Sequence, residues 1–399
     1  MAMAAIGISI NCAGIFFVSV SEELGVGRGD IALTTTLTNV VTGLMGPFVA
    51  SRLIGKVNIK WLTGAGALVT TLGFAALSIA NHVAVFYVVS VLMGMFITGY
   101  SNVVISHIIG NWFQEKHGIA MGITMSYSGL GGAIFNPILS AAIESFGWRN
   151  AYLLAAAFVF VLSVPGILFI IKERPEEKGL LPYGAAGSSA PPAAKKTAEK
   201  AKISFGSAAF LVTVAFSVLA YFVSGFNTHV SGFATSIGLT ASVGALMVSA
   251  SMIGNVLFKL LIGVLSDAFG APKACGVMLI SNMIGMTIFS FLPVGGTVVP
   301  MISAFLYGGI YAVAAVGIPL VVRYVYGSRL HSVAYSYVSL FACISSSCAM
   351  ATYGYSYDIF GTYRVAVVAS VVIAGLSLAS LFFVKRVRTP EAVEQQKTA

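Results

Sequence analysis

Hydrophobic residues in this chain come in long unbroken runs, without the short apolar-polar rhythm of a water-facing fold. Apolar stretches fall near residues 2–20, 31–53, 61–80, 84–110, 118–144, 149–171, 206–232, 241–264, 274–293, 298–322, 332–357 and 364–384. Each is close to the roughly 20 residues that carry an α-helix across a bilayer. Barrel strands would instead alternate over only about ten positions, and no other structure satisfies its backbone in hydrocarbon. The pattern predicts an all-α membrane protein with twelve transmembrane helices.

Only residues 172–205 form a long polar interruption. They read KERPEEKGLLPYG and continue through an Ala/Pro/Ser/Lys tract too poor in apolar side chains to fold alone. The expected organisation is a six-helix bundle over 1–171, a linker over 172–205, a second six-helix bundle over 206–384 and a tail over 385–399. The halves repeat each other. ELGVGRGDIALTTTL after the first stretch parallels SIGLTASVGALMVSA after the seventh, and FGWRNAYLLAA entering the sixth parallels FGTYRVAVVAS entering the twelfth. The offsets are 213 residues from Gly25 to Gly238 and 214 from Gly147 to Gly361. Such a repeat predicts two pseudo-symmetric bundles and a solute site near the bilayer midplane between them, the architecture of a transporter. The offset aligns Met1 with residue 214, whereas the seventh stretch begins near 206. The first helix is thus about two turns short, which predicts a native start upstream of Met1. Without a basic leader or a small-residue cleavage site, that first run is not expected to be a removable signal peptide.

Composition agrees: 58% of residues are hydrophobic, 9% are charged and mean hydropathy is +0.93, against about 25% charged in soluble domains. The net charge of +9 is informative once mapped. With both termini placed inside, 18 of the 22 Lys and Arg residues lie on the inner face, three (Arg28, Arg149, Arg364) lie outside, and Lys259 is left over. That asymmetry predicts cytoplasmic termini and linker in a plasma (cell inner) membrane, so the basic balance requires no nucleic-acid partner. The four cysteines are scattered singly and read as packing residues. No CxxC, HExxH or Walker-type segment occurs, and no metal or cofactor is expected.

Of the 13 acidic residues none falls within the middle of a stretch. Lys259 is the one fully charged side chain deep in an apolar run, where a cation costs about 2.5–3.5 kcal/mol on insertion scales. Two readings are open. Lys259 can take its counter-ion from an anionic substrate, or it can snorkel toward the inner interface near Asp267. Asn255 lies one turn earlier on the same face. Tyr307 and Tyr311 share a face of the tenth helix, and Tyr100, Val104 and His107 a face of the fourth. Tyr127 in the fifth is a further hydroxyl candidate. Each tyrosine is also compatible with an ordinary buried hydrogen bond.

NWFQEKHGIAMGI after the fourth stretch (Lys116, Gly118) and GVLSDAFGAPK after the eighth (Gly263, Asp267, Gly270) resemble loop motifs of the major facilitator superfamily. His117 stands where an Arg is usual. The first-half copy, GPFVASRLIGK, keeps Gly46, Arg52 and Gly55 without the acidic residue. These loops imply conformational latches and say nothing of substrate. Over nearly the whole chain, HVSGFATSIGL followed by NVLFKLLIGVLSD is similar to bacterial monocarboxylate-transporter-like and oxalate/formate-antiporter-like carriers. In those families a cation four residues before the glycine of the eighth helix binds a carboxylate, and here that position is Lys259. Asn255 stands where the monocarboxylate branch has an aspartate, Asn11 where it has a first-helix lysine, and Ala342 where the oxalate branch has a second cation. The resemblance implies that Tyr100 and Tyr311 approach the substrate and that His229 gates or exchanges a proton near the outer end, although Gly232 replaces a proline there. GGAIFNP departs from the motif of drug/proton antiporters. The expectation is a secondary or facilitative carrier of small organic anions, with a coupling proton or counter-anion. An uncharged or amphipathic cargo is the alternative, and a non-transporting solute sensor a more distant one.

Overall fold

The computed structural model describes residues 1–184, 203–292 and 296–390. Most of the expected linker (185–202) and the end of the expected tail (391–399) lie outside the described residues, together with the charges they carry. Twelve helical segments cross the molecule in two bundles of six. The first bundle holds α1 (3–24), α2 (28–53), α3 (Ile59–Ser78), α4 (Val83–Trp112), α5 (117–146) and α6 (148–169). The second holds α7 (208–236), α8 (Ala241–Phe269), α9 (Ala271–Phe291), α10 (298–326), α11 (328–360) and α12 (Arg364–Val384).

Helix ends follow local chemistry. Asn58, Ser207 and Thr240 accept a backbone N–H at the starts of α3, α7 and α8, satisfying donors that have no intrahelical partner. Two reversals depend on glycine, since α5 passes into α6 at Gly147 (φ 79°) and α10 into α11 at Gly327 (φ 72°), a region that side chains with a Cβ avoid.

The repeat read from the sequence is visible in the packing. α3 lies against α6 in one half and α9 against α12 in the other. Arg149 donates to the terminal carbonyls Ser78 O and Ala80 O of α3, and Arg364 donates to Ser290 O and Leu292 O at the end of α9. Both arginines thereby satisfy orphan carbonyls at a helix C-terminus. One buried apolar cluster lies wholly within the first half, and a second fills the other half and continues across the seams to Val103, Ile105, Ile109, Met121 and Met125. The halves meet along two seams, α5 against α8 and α2 against α11.

The α5–α8 seam is backbone against backbone. A Cβ on Gly122 would come within 2.5 Å of Lys259 O, and one on Gly263 within 2.5 Å of Gly118 O. Side chains any larger would hold the helices apart, as expected where close van der Waals approach drives association. The outward stripe of α5 is apolar and exposed: Ile123, Tyr127, Leu130, Ile134 and Ile138.

Candidate functional site

Several helices are interrupted, and the pattern is not random. α1 loses regular winding between Ser9 and Phe16, α4 at Thr98–Tyr100, α7 at Gly225–His229 and α10 at Val313–Gly317. These are the first helices of four three-helix groups. Broken helices in a bilayer are tolerated where the freed backbone lines a protected interior, and they are where transporters place their sites. A further irregular turn, Val49–Leu53, ends α2. Asn11, Tyr100, His229 and Tyr311 all lie at or beside the four breaks.

The charged centre is Lys259. It is 3% exposed, and its ammonium donates to Ser128 Oγ at 2.8 Å and Met125 O at 3.3 Å, both on α5 of the other half. Among the described residues no carboxylate forms an ion pair with it. Its tip therefore points across the seam, away from both the lipid stripe and the α8–α9 turn. Ser128 was not singled out in the sequence, yet it is a junction: its backbone oxygen accepts Asn11 Nδ2 at 3.0 Å. Asn11 and Lys259 are thus joined through one residue of α5. Asn255, 4% exposed, leaves Oδ1 without a partner and rests its amide nitrogen 3.9 Å from Met252 Sδ.

The tyrosines divide. Tyr100 is buried, and its hydroxyl, near Ser9 and Thr70, has no hydrogen-bond partner. Tyr311 has a buried hydroxyl without a hydrogen-bond partner. Its ring meets Tyr307 edge-on, 5.6 Å between centroids. Tyr307 instead donates to Val223 O and Ser224 O of α7 and packs among Phe226 and Phe289, so its hydroxyl is spent within one half.

Two expectations need correction. Tyr127 is 50% exposed on the apolar outward stripe of α5, a quarter-turn away from the face that carries Ser128, and it is not part of the interior. Tyr100 and His107 do not share one continuous helical face, because Ser101 between them is extended (ψ −156°). His229 is not brought to Lys259 either. It is held within the second half by Met350 O at 2.9 Å and Tyr363 Oη at 3.3 Å. Ala342, in the middle of α11, is fully buried and apolar.

The loop-motif residues gather at the end of the molecule that carries the 172–184 segment, the linker face. Asp267 accepts the N–H groups of Gly118 and Ile119, both at 2.8 Å, placing a carboxylate on the N-terminus of α5 where the helix dipole favours it. Gly270 turns α8 into α9 with φ 86°, and Lys116 sits over the Tyr183 ring at 5.9 Å. In the first-half copy Gly46 lies close to Ser336 of α11, while Arg52 is exposed and Gly55 forms a left-handed turn without near neighbours. Other ties between halves lie on the same side. His107 Nδ1 meets Ser332 Oγ at 2.9 Å, His331 Nε2 meets Ser106 Oγ at 3.4 Å, and Arg323 Nη2 donates to Phe113 O at 3.4 Å. The linker face is closed in this conformation. His107 also binds Glu173 just beyond α6, at 3.1 Å. That hydrogen bond holds the Glu173 carboxyl below its ordinary range, against the opposing effect of its partial burial.

Comparison with known proteins agrees with this fold. Human monocarboxylate transporter 12 is 28% identical over 276 residues, 62% of this chain and 52% of that protein. Human monocarboxylate transporter 11 is 24% identical over 294 residues, 72% of this chain and 59% of that protein. The matches therefore span less than two thirds of these relatives' own lengths. Among solved structures, the proton:xylose symporter XylE bound to 6-bromo-6-deoxy-D-glucose superposes with a TM-score of 0.73 over 99% of this chain and 97% of its own, at 14% identity. FucP in its outward conformation gives 0.63 over 97% and 99%, also at 14% identity. The family model of the Major Facilitator Superfamily matches residues 1–245 and 211–399. With a twelve-helix two-bundle fold and a match covering the whole chain, the protein belongs to the major facilitator superfamily of membrane transporters.

Proposed function

We propose that this transporter carries small organic anions of the monocarboxylate kind by alternating access, residues 1–171 rocking against 206–384. One observation carries the reading: a buried ammonium at the boundary between the halves, held only by neutral oxygens of Ser128 and Met125. Neutral acceptors compensate a buried charge incompletely, and a carboxylate arriving from solution supplies the missing negative charge. The anion would displace Ser128 Oγ from Lys259, with the amide of Asn255 and the hydroxyl of Tyr311 turning to its oxygens. Asn11 would act indirectly, by fixing the turn of α5 that carries Ser128. Because Lys259 alternates between an α5 partner and the cargo, loading also loosens a tie between halves, which links binding to rocking. The names of the relatives support the substrate class. The charge distribution supports placing the linker face and both termini in the cytoplasm; in this reading the protein sits in the plasma membrane, with a proton or counter-anion as coupling partner.

The test is uptake of labelled formate, lactate, pyruvate and oxalate into proteoliposomes by wild type and Lys259→Gln. A charge-assisted hydrogen bond contributes about 1.5–3 kcal/mol, so KM for the transported anion is expected to rise at least about tenfold. Lys259→Arg keeps the charge but changes donor geometry, and partial retention is expected. Unchanged anion affinity in Lys259→Gln would remove the lysine from recognition and favour an uncharged cargo. Binding without flux would favour a sensor.

A further inference from the structure

The closed linker face contains a group of basic side chains that the transport reading does not use. His117 begins α5, and at 6% exposure neither of its ring nitrogens has a hydrogen-bond partner. Arg323, near the end of α10, spends Nη2 on Phe113 O, but its Nη1 is buried without a partner. The two idle groups face one point. A Cβ built on Gly110 of α4 would lie 3.7 Å from Arg323 Nη1 and 3.9 Å from His117 Nε2, and would meet nothing else within 4 Å outside its own helix and neighbours. The bare Cα of Gly110 thus borders both a guanidinium and an imidazole. A buried guanidinium N–H left unmatched is costly. The nearby acid does not match it, because Asp267 gives its two oxygens to Gly118 N and Ile119 N.

We propose that these two groups form a second anion site, taking a small monovalent anion between Arg323 of one half and His117 of the other. The shared chemistry is that of chloride and of the cargo's own carboxylate group. The anion lies beside the bare Cα of Gly110, within reach of both nitrogens, where a methyl on that residue would crowd it. The two groups come from opposite halves, so the site exists only while the linker face is closed, and an occupant favours that state. Eleven residues of α5 separate His117 from Ser128, or about 16 Å of helix, so the site lies at the linker face, well apart from Lys259. Arg323 neutralises a monovalent anion, and a proton on His117 adds a second positive charge that strengthens the attraction. The charged and titratable groups around that imidazole are Arg323 and His331, with Asp267 reached through Gly118. His331 in turn faces Arg323 and His107. Binding is therefore stronger at acid than at alkaline pH.

The experiment follows thermal unfolding of the purified protein in nanodiscs against chloride or formate, with gluconate holding ionic strength constant. Lys259→Gln is the background, which separates this site from the transport site. In that background a saturable rise in melting temperature is expected. Adding Gly110→Ala, whose Cβ meets only ordinary van der Waals contacts, should leave the starting melting temperature intact and weaken half-saturation by about tenfold, the equivalent of one charge-assisted hydrogen bond. Adding Arg323→Gln should do the same. Response to chloride alone assigns an inorganic occupant, response to formate alone assigns the cargo, and response to both assigns a common waypoint. No saturable response to either anion in Lys259→Gln, or an equal response after Gly110→Ala, would overturn the proposal.

Discussion

Substituting Asp267 by Asn tests whether the carboxylate on the α5 N-terminus biases the protein toward its linker-face-closed form. Two N–H donors reach Asp267 at 2.8 Å. Charge-assisted hydrogen bonds of that kind are worth about 1.5–3 kcal/mol each when shielded. Asp267 is exposed, so solvent screening reduces each to about 1 kcal/mol, and the favourable helix terminus adds about 0.5 kcal/mol. Asn keeps one acceptor oxygen and turns an NH2 toward the second N–H. The expected loss is about 1.5 kcal/mol, a roughly tenfold shift in the closed-to-open ratio. Spin labels at Lys56→Cys and Arg329→Cys, exposed positions on the linker face of each half, report that ratio as a distance distribution once the four native cysteines have been replaced. Asp267→Asn should enlarge the long-distance population by about that factor, and Asp267→Glu should fall between the two. A distribution identical to wild type, or one moved toward closure, would show that the carboxylate does not bias the equilibrium.

Other substitutions probe separate parts of the structure. Ser128→Ala leaves Lys259 with the Met125 carbonyl alone; a less satisfied resting ammonium should bind the anion more tightly, lowering KM by up to about tenfold, and an increase in KM in proteoliposome uptake would contradict the exchange of partners. Gly122→Ala pushes a Cβ against Lys259 O, 2.5 Å away, and overpacking of that order costs about 1–3 kcal/mol; a lowered melting temperature and lost uptake are expected, with Gly166→Ala, which meets nothing within 4 Å, as the control that keeps both. Glu173, whose carboxyl is held low by His107, contributes stability that is complete above its unfolded value of 4.5 and is lost as pH falls below it toward the depressed folded value. Melting curves across that acid range should therefore show a step that Glu173→Gln abolishes; an unchanged step would place the acid sensitivity elsewhere.

Much of the fold was legible because hydrocarbon imposes a crude and strong rule on sequence. Twelve apolar runs, one polar break and the repeated FG segments sufficed for the helices and their twofold repeat, and Arg149 and Arg364 cap equivalent helix ends. The candidate site was legible only where charge was conspicuous. Lys259 stood out because a cation in an apolar run demands an explanation. Ser128 did not, since serine is cheap in a membrane helix and nothing in SYSGLGG tells which residue faces a neighbour. Tyr127 failed for the same reason: a helix apolar on all sides carries no amphipathic signal to separate its lipid face from its packed face. The break before Asn102 also defeated helical periodicity, because a turn that leaves the α-helix resets the register on which Tyr100 and His107 were aligned. The glycines of α5 were visible as composition, and their meaning needed the partner helix.

The bare seam between Gly118, Gly122 and Gly263 has a mechanical consequence. Interlocking knobs must leave their sockets before two surfaces can turn on each other, whereas smooth surfaces can roll. A pivot built from exposed main chain therefore offers little resistance of its own, and the work of changing state is concentrated in the polar clasps at its ends. Altering those clasps retunes how long the protein dwells in each state while leaving the axle untouched.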